Sequence, residues 1–170
     1  MKIAEIDARL AVLNLVPKDK LHQKTRVTVV INQAAYEKAI NEYRSDCENA
    51  LKGLKPEGFD EKVQKYFLTT KDAATMTSDE LKQAEELRKD AGYAEFKDTL
   101  DKVDSDYAKA QEKINEDSDY TVKERAFDDD DLVDLAFVLP SGKKTKFKRG
   151  DVESEISNDA LLHTLMYYFA

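Results

Sequence analysis

Apolar residues recur along two stretches of the chain in steps of three and four. The first is Tyr36, Ile40, Tyr43, Cys47, Ala50 and Leu54. The second is Tyr93, Phe96, Leu100, Val103, Tyr107, Ala110 and Ile114. A repeat of about 3.5 residues lays all of these side chains along one seam of a helix. A seam needs covering. The pattern therefore predicts helices over 33–54 and 93–116 packed on each other as an antiparallel pair, with a homo-oligomer joined through the same seams as the alternative.

Shorter periods fill in the rest. Ile3, Ile6, Leu10 and Leu13 make a helical stripe that Pro17 closes. Lys18–Lys24 is polar and reads as a loop. Arg26–Ile31 is rich in β-branched residues and reads as a strand, or as an extended lead into the first seam helix, with Asn32 as that helix's N-cap. Gly53, Pro56 and Gly58 end the helix. Phe59, Val63, Tyr66 and Phe67 suggest one or two further turns before a loop over 69–77. Ser78 is an N-cap candidate, with Asp79 and Glu80 in the first turn where the helix dipole favours acids. The stripe Leu81, Ala84, Leu87, Ala91 is out of phase with the Tyr93 seam. Near Gly92 there are thus either two helices or one with a stutter.

Beyond Asp117 the periodicity fades. Val133–Leu139 is apolar and strand-like, Pro140-Ser141-Gly142-Lys143 is a turn, and Lys144–Arg149 alternates Lys with other residues. Together these predict a β-hairpin over 133–149, with Phe147 inward and Lys144, Lys146 and Lys148 outward. A helix over 158–169, capped by Ser157 or Asn158, closes the chain. The expected fold is α+β, mostly α: an antiparallel helical hairpin or bundle with a small β-hairpin near the C-terminus, in a single domain spanning 1–170.

Composition agrees with that reading. Five Gly and three Pro in 170 residues favour long helices over a many-turned β fold. One cysteine, Cys47, excludes an intramolecular disulfide, and its place on the first seam is ordinary packing for a small thiol. An acid at Glu5 interrupts the opening apolar residues, so no signal peptide is read, and no stretch approaches the roughly 20 apolar residues of a membrane span. A cytoplasmic protein without a membrane partner is expected. The net charge is −8, and residues 93–135 carry fifteen Asp/Glu against six Lys/Arg. That acidity disfavours direct nucleic-acid binding.

Candidate chemistry is sparse. His22, His163 and Cys47 are far apart in sequence, without the paired spacing of a metal centre or a Cys–His nucleophile system. Asn115–Asp119 opens like a calcium loop, but Tyr120 replaces the glycine required at the sixth position and Ala126 the glutamate at the twelfth. No phosphate-binding glycine loop occurs and no cofactor is expected. Asp128, Asp129, Asp130 and Asp131 form either a solvated acidic loop or, with Asp134, a hard-cation site. Lys144, Lys146 and Lys148 share one strand face: a basic stripe for an acidic partner, or an edge strand kept soluble. Tyr167, Tyr168 and Phe169 end a very apolar helix, either a core element or a contact surface. These observations point to a non-enzymatic protein–protein interaction or assembly protein that uses its heptad helices as a rigid arm. One alternative is an acidic inhibitor that imitates nucleic acid on a basic partner surface. The other is a carboxylate–metal enzyme at Asp128, Asp130 and Asp134.

Overall fold

The computed structural model describes residues 1–170, the side chain of Arg149 excepted. Along the chain run α1 (Ile3–Asn14), α2 (Gln23–Leu54), α3 (Phe59–Lys65), α4 (Phe67–Thr70), α5 (Ser78–Arg88), α6 (Tyr93–Asp117), α7 (Asp129–Val138), β1 (Lys144–Arg149), β2 (Val152–Ser157) and α8 (Asn158–Phe169), with short 3-10 turns at Lys18–Lys20 and Ala73–Thr75. The class is α+β, mostly α, with one two-stranded antiparallel sheet near the C-terminus. The chain divides into two compact units. One comprises Met1–Arg44 with Asp117–Ala170, the other Ser45–Glu116.

In the first unit, Ile6, Leu13, Val29, Tyr36, Leu135, Leu161 and Leu165 are fully enclosed and form the centre of the core. The predicted strand at Val27–Ile31 is instead the opening of α2. Helical packing overrides the β-branched preference because the inward positions Thr25, Thr28, Val29, Asn32, Gln33 and Tyr36 recur at helical spacing and are all buried. Asn32 is therefore not a cap. Its Nδ2 donates to the carbonyl of Arg125 at 2.8 Å, and its Oδ1 accepts from the Arg125 amide at 2.7 Å.

Arg125 belongs to an extended strap, residues 118–128, tied across the unit at several points. The Met1 amino group donates to the Tyr120 carbonyl and the Tyr120 amide to the Met1 carbonyl, both at 2.9 Å, while the Phe127 amide donates to the Phe169 carbonyl at 2.7 Å. Tyr36 meets Phe169 edge-on at 6.2 Å and Tyr43 meets Tyr120 edge-on at 6.1 Å. The upper part of the first seam is thus covered by the strap and α8, not by the second seam as expected.

The hairpin prediction over 133–149 requires correction. Residues 133–138 lie in α7, and the Pro140–Lys143 turn joins that helix to β1. The strand partner is β2, in the register Lys146↔Glu155 and Phe147↔Ser154, closed by a two-residue turn in which Gly150 takes φ +62°. Period-two alternation did place Lys144, Lys146 and Lys148 outward, with Thr145 and Phe147 half-buried on the other face. At α8, the Ser157 hydroxyl accepts from the Ala160 amide at 3.1 Å and caps the helix.

In the second unit, the cap of α5 is Thr77, one residue before the expected Ser78, which is the helix's first residue. Thr77 and Glu80 form a reciprocal capping box. The phase change at Gly92 separates two helices. Tyr66 explains the tight corner: its hydroxyl donates to Asp90 Oδ1 at 2.7 Å, and a β-carbon on Gly92 would lie only 3.0 Å from that hydroxyl oxygen. Phe96 stacks on Tyr66 at 4.7 Å and Tyr93 meets it edge-on at 5.6 Å. Leu54 and Val103, from the two seams, line a common groove with Pro56. Every seam position of α2 and α6 is buried or half-buried.

Candidate functional site

The four consecutive aspartates are neither a loop nor an isolated acidic surface: they start α7. Asp128 and Asp131 form a capping box, with the Asp131 amide donating to Asp128 Oδ1 at 3.0 Å. Four acids at a helix N-terminus also complement its dipole. Lys24 of α2 reaches Asp128 at 2.8 Å and Asp130 at 3.0 Å. Hydrogen bonds donated to Asp128 and Asp130 hold the lysine above its ordinary pKa, and the Asp128 carboxyl sits below its own, first through Lys24 and then through the Asp131 amide.

One turn deeper, the α7 acids point inward. Asp131 is 1% exposed and takes a 3.4 Å contact from the Thr28 hydroxyl. Asp134 is 5% exposed and accepts from the His22 amide at 2.8 Å, while its Oδ1 lies 3.3 Å from His22 Nδ1. Asp134 thereby satisfies a free amide at the start of α2, and His22 itself points to solvent. Asp131 Oδ1 and Asp134 Oδ1 have no hydrogen-bond donor. Among the described residues no three His, Cys, Asp or Glu side chains gather as metal ligands would.

A second polar cluster locks the strap. Arg9 Nη1 donates to both Glu124 oxygens at 3.0 Å and to the Tyr168 carbonyl at 3.2 Å, and Nη2 donates to Glu5 at 2.7 Å. The Tyr36 hydroxyl donates to Glu124. Burial, and then the Glu124 carboxylate, raise the Tyr36 pKa. Burial works against the Arg9 charge, but Tyr36, Glu124 and Glu5 outweigh it and hold the guanidinium above its usual value. The Arg9 guanidinium also lies 5.0 Å from the centre of the Tyr168 ring. The Nη groups of Arg9 and the Tyr36 hydroxyl converge on Glu124 and the Tyr168 carbonyl, while Arg9 Nε has no partner, and the cluster anchors residues 118–128.

The C-terminal aromatics separate by role. Phe169 is core and Tyr168 is half-buried under Arg9, while Tyr167 is 77% exposed. The lysine stripe is not free either. Lys144 pairs with Glu155 at 3.0 Å and Lys146 reaches the same carboxylate at 4.0 Å, while Glu153 stands opposite Lys148 in the register. No helix among the described residues is long and apolar enough to cross a membrane.

One surface was missed because 133–139 reads as a core strand. On α7, Val133 is 71% and Phe137 82% exposed, one turn apart and in line with Asp130. On α2, Val27, Val30 and Ile31 are also exposed, at 43%, 47% and 43%. Thr28, Lys24 and His22 fasten α2 to α7 through the contacts above. The available signal was the helical spacing of Asp131, Asp134, Leu135 and Val138, which leaves Val133 and Phe137 on the opposite face.

No model of a known protein family, no curated protein and no solved structure matches this chain.

Proposed function

We propose that this is a non-enzymatic interaction protein, cytoplasmic, that docks a protein partner through the outer face of α7. The observation that carries this reading is the pair Val133 and Phe137, both more than two-thirds exposed and stacked one turn apart on a capped helix. Isolated exposed apolar residues are ordinary. A rigidly presented aromatic with an aliphatic neighbour is the kind of anchor that dominates interface energetics. Asp130 completes the row at the N-terminal end, with its side chain 86% exposed. The matching partner surface is an apolar pocket for Phe137 with a basic margin facing Asp130. The long helices serve as the scaffold. Their seams are shielded, so the contact surface differs from the seam.

The acidic-mimic alternative rests on the carboxylates along α6, of which Glu95 pairs with Lys62 and Asp106 with Lys109 in the same chain. The test is affinity capture from native source with the intact chain, beside a Val133→Asp/Phe137→Asp variant and a Lys148→Glu control. A partner held by wild type and by the control but lost from the α7 variant is expected. Burying a Phe side chain contributes about 1.5–3 kcal/mol, so loss of the anchor reads as a drop of at least about tenfold in affinity. Capture that ignores the α7 substitutions overturns the reading. So does a light-scattering mass of a dimer that Phe137→Asp dissociates, because the occupant is then a second copy.

A further inference from the structure

A cavity of about 600 Å³ opens beside α7, where the Lys18–Lys20 turn, the end of α7 and the start of β1 meet. Its wall includes Lys20, Lys143 and Lys144, with Phe137, Val138 and Asn158, and it contains no acidic residue. In a chain of net charge −8 that is an inversion of local sign. Lys144 is engaged by Glu155, but among the described residues neither Lys20 nor Lys143 has a carboxylate within ion-pair distance. Asp159, next to Asn158 in the chain, accepts from the Gly142 amide at 3.0 Å.

The floor is fixed. Asn158 is 4% exposed, donates to the Pro140 carbonyl at 3.1 Å and accepts from the Thr145 hydroxyl at 2.8 Å. It thus ties the α7–β1 turn, the strand and α8 together at the base of the cavity. Phe137 supplies an uncovered aromatic face at the rim. Ammonium groups are compact charges suited to phosphate oxygens, and an open aromatic ring suits a planar ligand group. The volume lies within the roughly 300–1,000 Å³ of small-molecule sites.

We infer that this cavity binds a small organic polyanion: a phosphate ester carrying a flat ring, with Lys20 and Lys143 on the phosphates and Phe137 against the ring. The inference does not rest on protein docking, but Phe137 borders both surfaces, so an occupied cavity competes with a partner for that side chain.

The experiment is an amide NMR titration of the full chain with ADP, pyrophosphate and adenosine, at low and at physiological salt. ADP should give saturable shifts confined to residues around 18–20, 137–145 and 158, weakened by salt as charge contacts are screened. Pyrophosphate should bind the same residues more weakly, and adenosine should not saturate. Lys20→Glu with Lys143→Glu should lower the ADP affinity by at least about tenfold. These lysines are exposed, so an unchanged spectrum elsewhere confirms that the variant is folded. Phe137→Ala should weaken ADP and leave pyrophosphate unchanged. Absence of saturation with ADP, or saturation indifferent to the lysine variants, overturns the inference. Equal ADP affinity with and without Phe137 overturns its ring component. Any of these failures leaves the capture experiment on Val133 and Phe137 to be judged by itself.

Discussion

Asn32→Ala isolates one tether of the strap. Asn32 is fully enclosed, and its amide makes two short hydrogen bonds with the backbone of Arg125. The substitution removes both at once and leaves the Arg125 amide and carbonyl without their partner. A hydrogen bond contributes about 0.5–1.5 kcal/mol net, and an orphaned buried group costs about 1–3 kcal/mol. Both bonds are partly accessible, so water relieves some of that cost, and the expected loss is about 2–4 kcal/mol. Against a typical total of about 5–15 kcal/mol this is a large fraction. With a urea m-value of about 1–3 kcal/mol/M, the midpoint should fall by about 1 M or more. Asn32→Asp keeps the acceptor for the Arg125 amide but sets a carboxylate oxygen against its carbonyl, so it should rescue nothing. Urea unfolding followed by circular dichroism measures the loss, and hydrogen exchange at the Arg125 amide locates it. A loss below about 0.5 kcal/mol, the scale of an ordinary surface substitution, with the Arg125 amide as protected as in wild type, would refute the tether.

Asp128→Ala removes the α7 capping box and one carboxylate of Lys24, and should cost about 1 kcal/mol in thermal or urea unfolding. An unchanged stability would mean that Asp129 and Asp130 suffice to start the helix. Acid should weaken the second unit through Glu80 and Asp90, whose carboxyls are both held down at about 2, Glu80 first by Lys71 and Asp90 first by Lys65. Their folded-state values lie below the unfolded ones of about 4, so their contribution is complete above that range and fades as pH falls towards 2. Carboxyl NMR titration checks this, and an Asp90 midpoint near 4 would contradict it.

Much of the fold is legible where one face of a helix is uniformly apolar. The stripes of α1, α6 and α8 and the latter part of α2 fall into this group. The two segments that read as strands, early α2 and α7, share a physical cause. In early α2 the buried positions include Thr25, Thr28, Asn32 and Gln33, while Val27, Val30 and Ile31 face outward. In α7 the buried positions include Asp131 and Asp134, while Val133 and Phe137 face outward. The apolar side chains therefore mark the wrong face, and pattern reading returns strands. The inward polar groups are tolerated because each has a defined role: Asn32 pairs with the strap, Thr28 meets Asp131, and Asp134 receives the His22 amide. Two neighbouring elements that invert their polarity together leave apolar side chains in water, a departure from consistency of the kind that accompanies functional surfaces. The candidate docking face was hidden in the sequence for that reason.

The acidic segment had the opposite fate. Its excess charge looks like a message to a partner, yet five of its fifteen acids, all beyond α6, are answered within the first unit. Asp119 meets Lys2 and the Met1 amino group, Glu124 meets Arg9, Asp128 and Asp130 meet Lys24, and Asp134 meets His22. All those basic groups lie in residues 1–24, within the part of the chain that is richest in Lys and Arg. Charge asymmetry along a sequence can therefore record which segments fold against each other. Several of these pairs are well exposed, with Asp119 65% and Asp130 86% accessible, so their individual contributions are small and screened by salt. The strap is held chiefly by hydrogen bonds between its backbone and Met1, the Asn32 side chain and the Phe169 carbonyl. Once those acids are accounted for, the apolar row on α7 and the cationic cavity beside it stand among the surface features that the first unit's own packing does not explain.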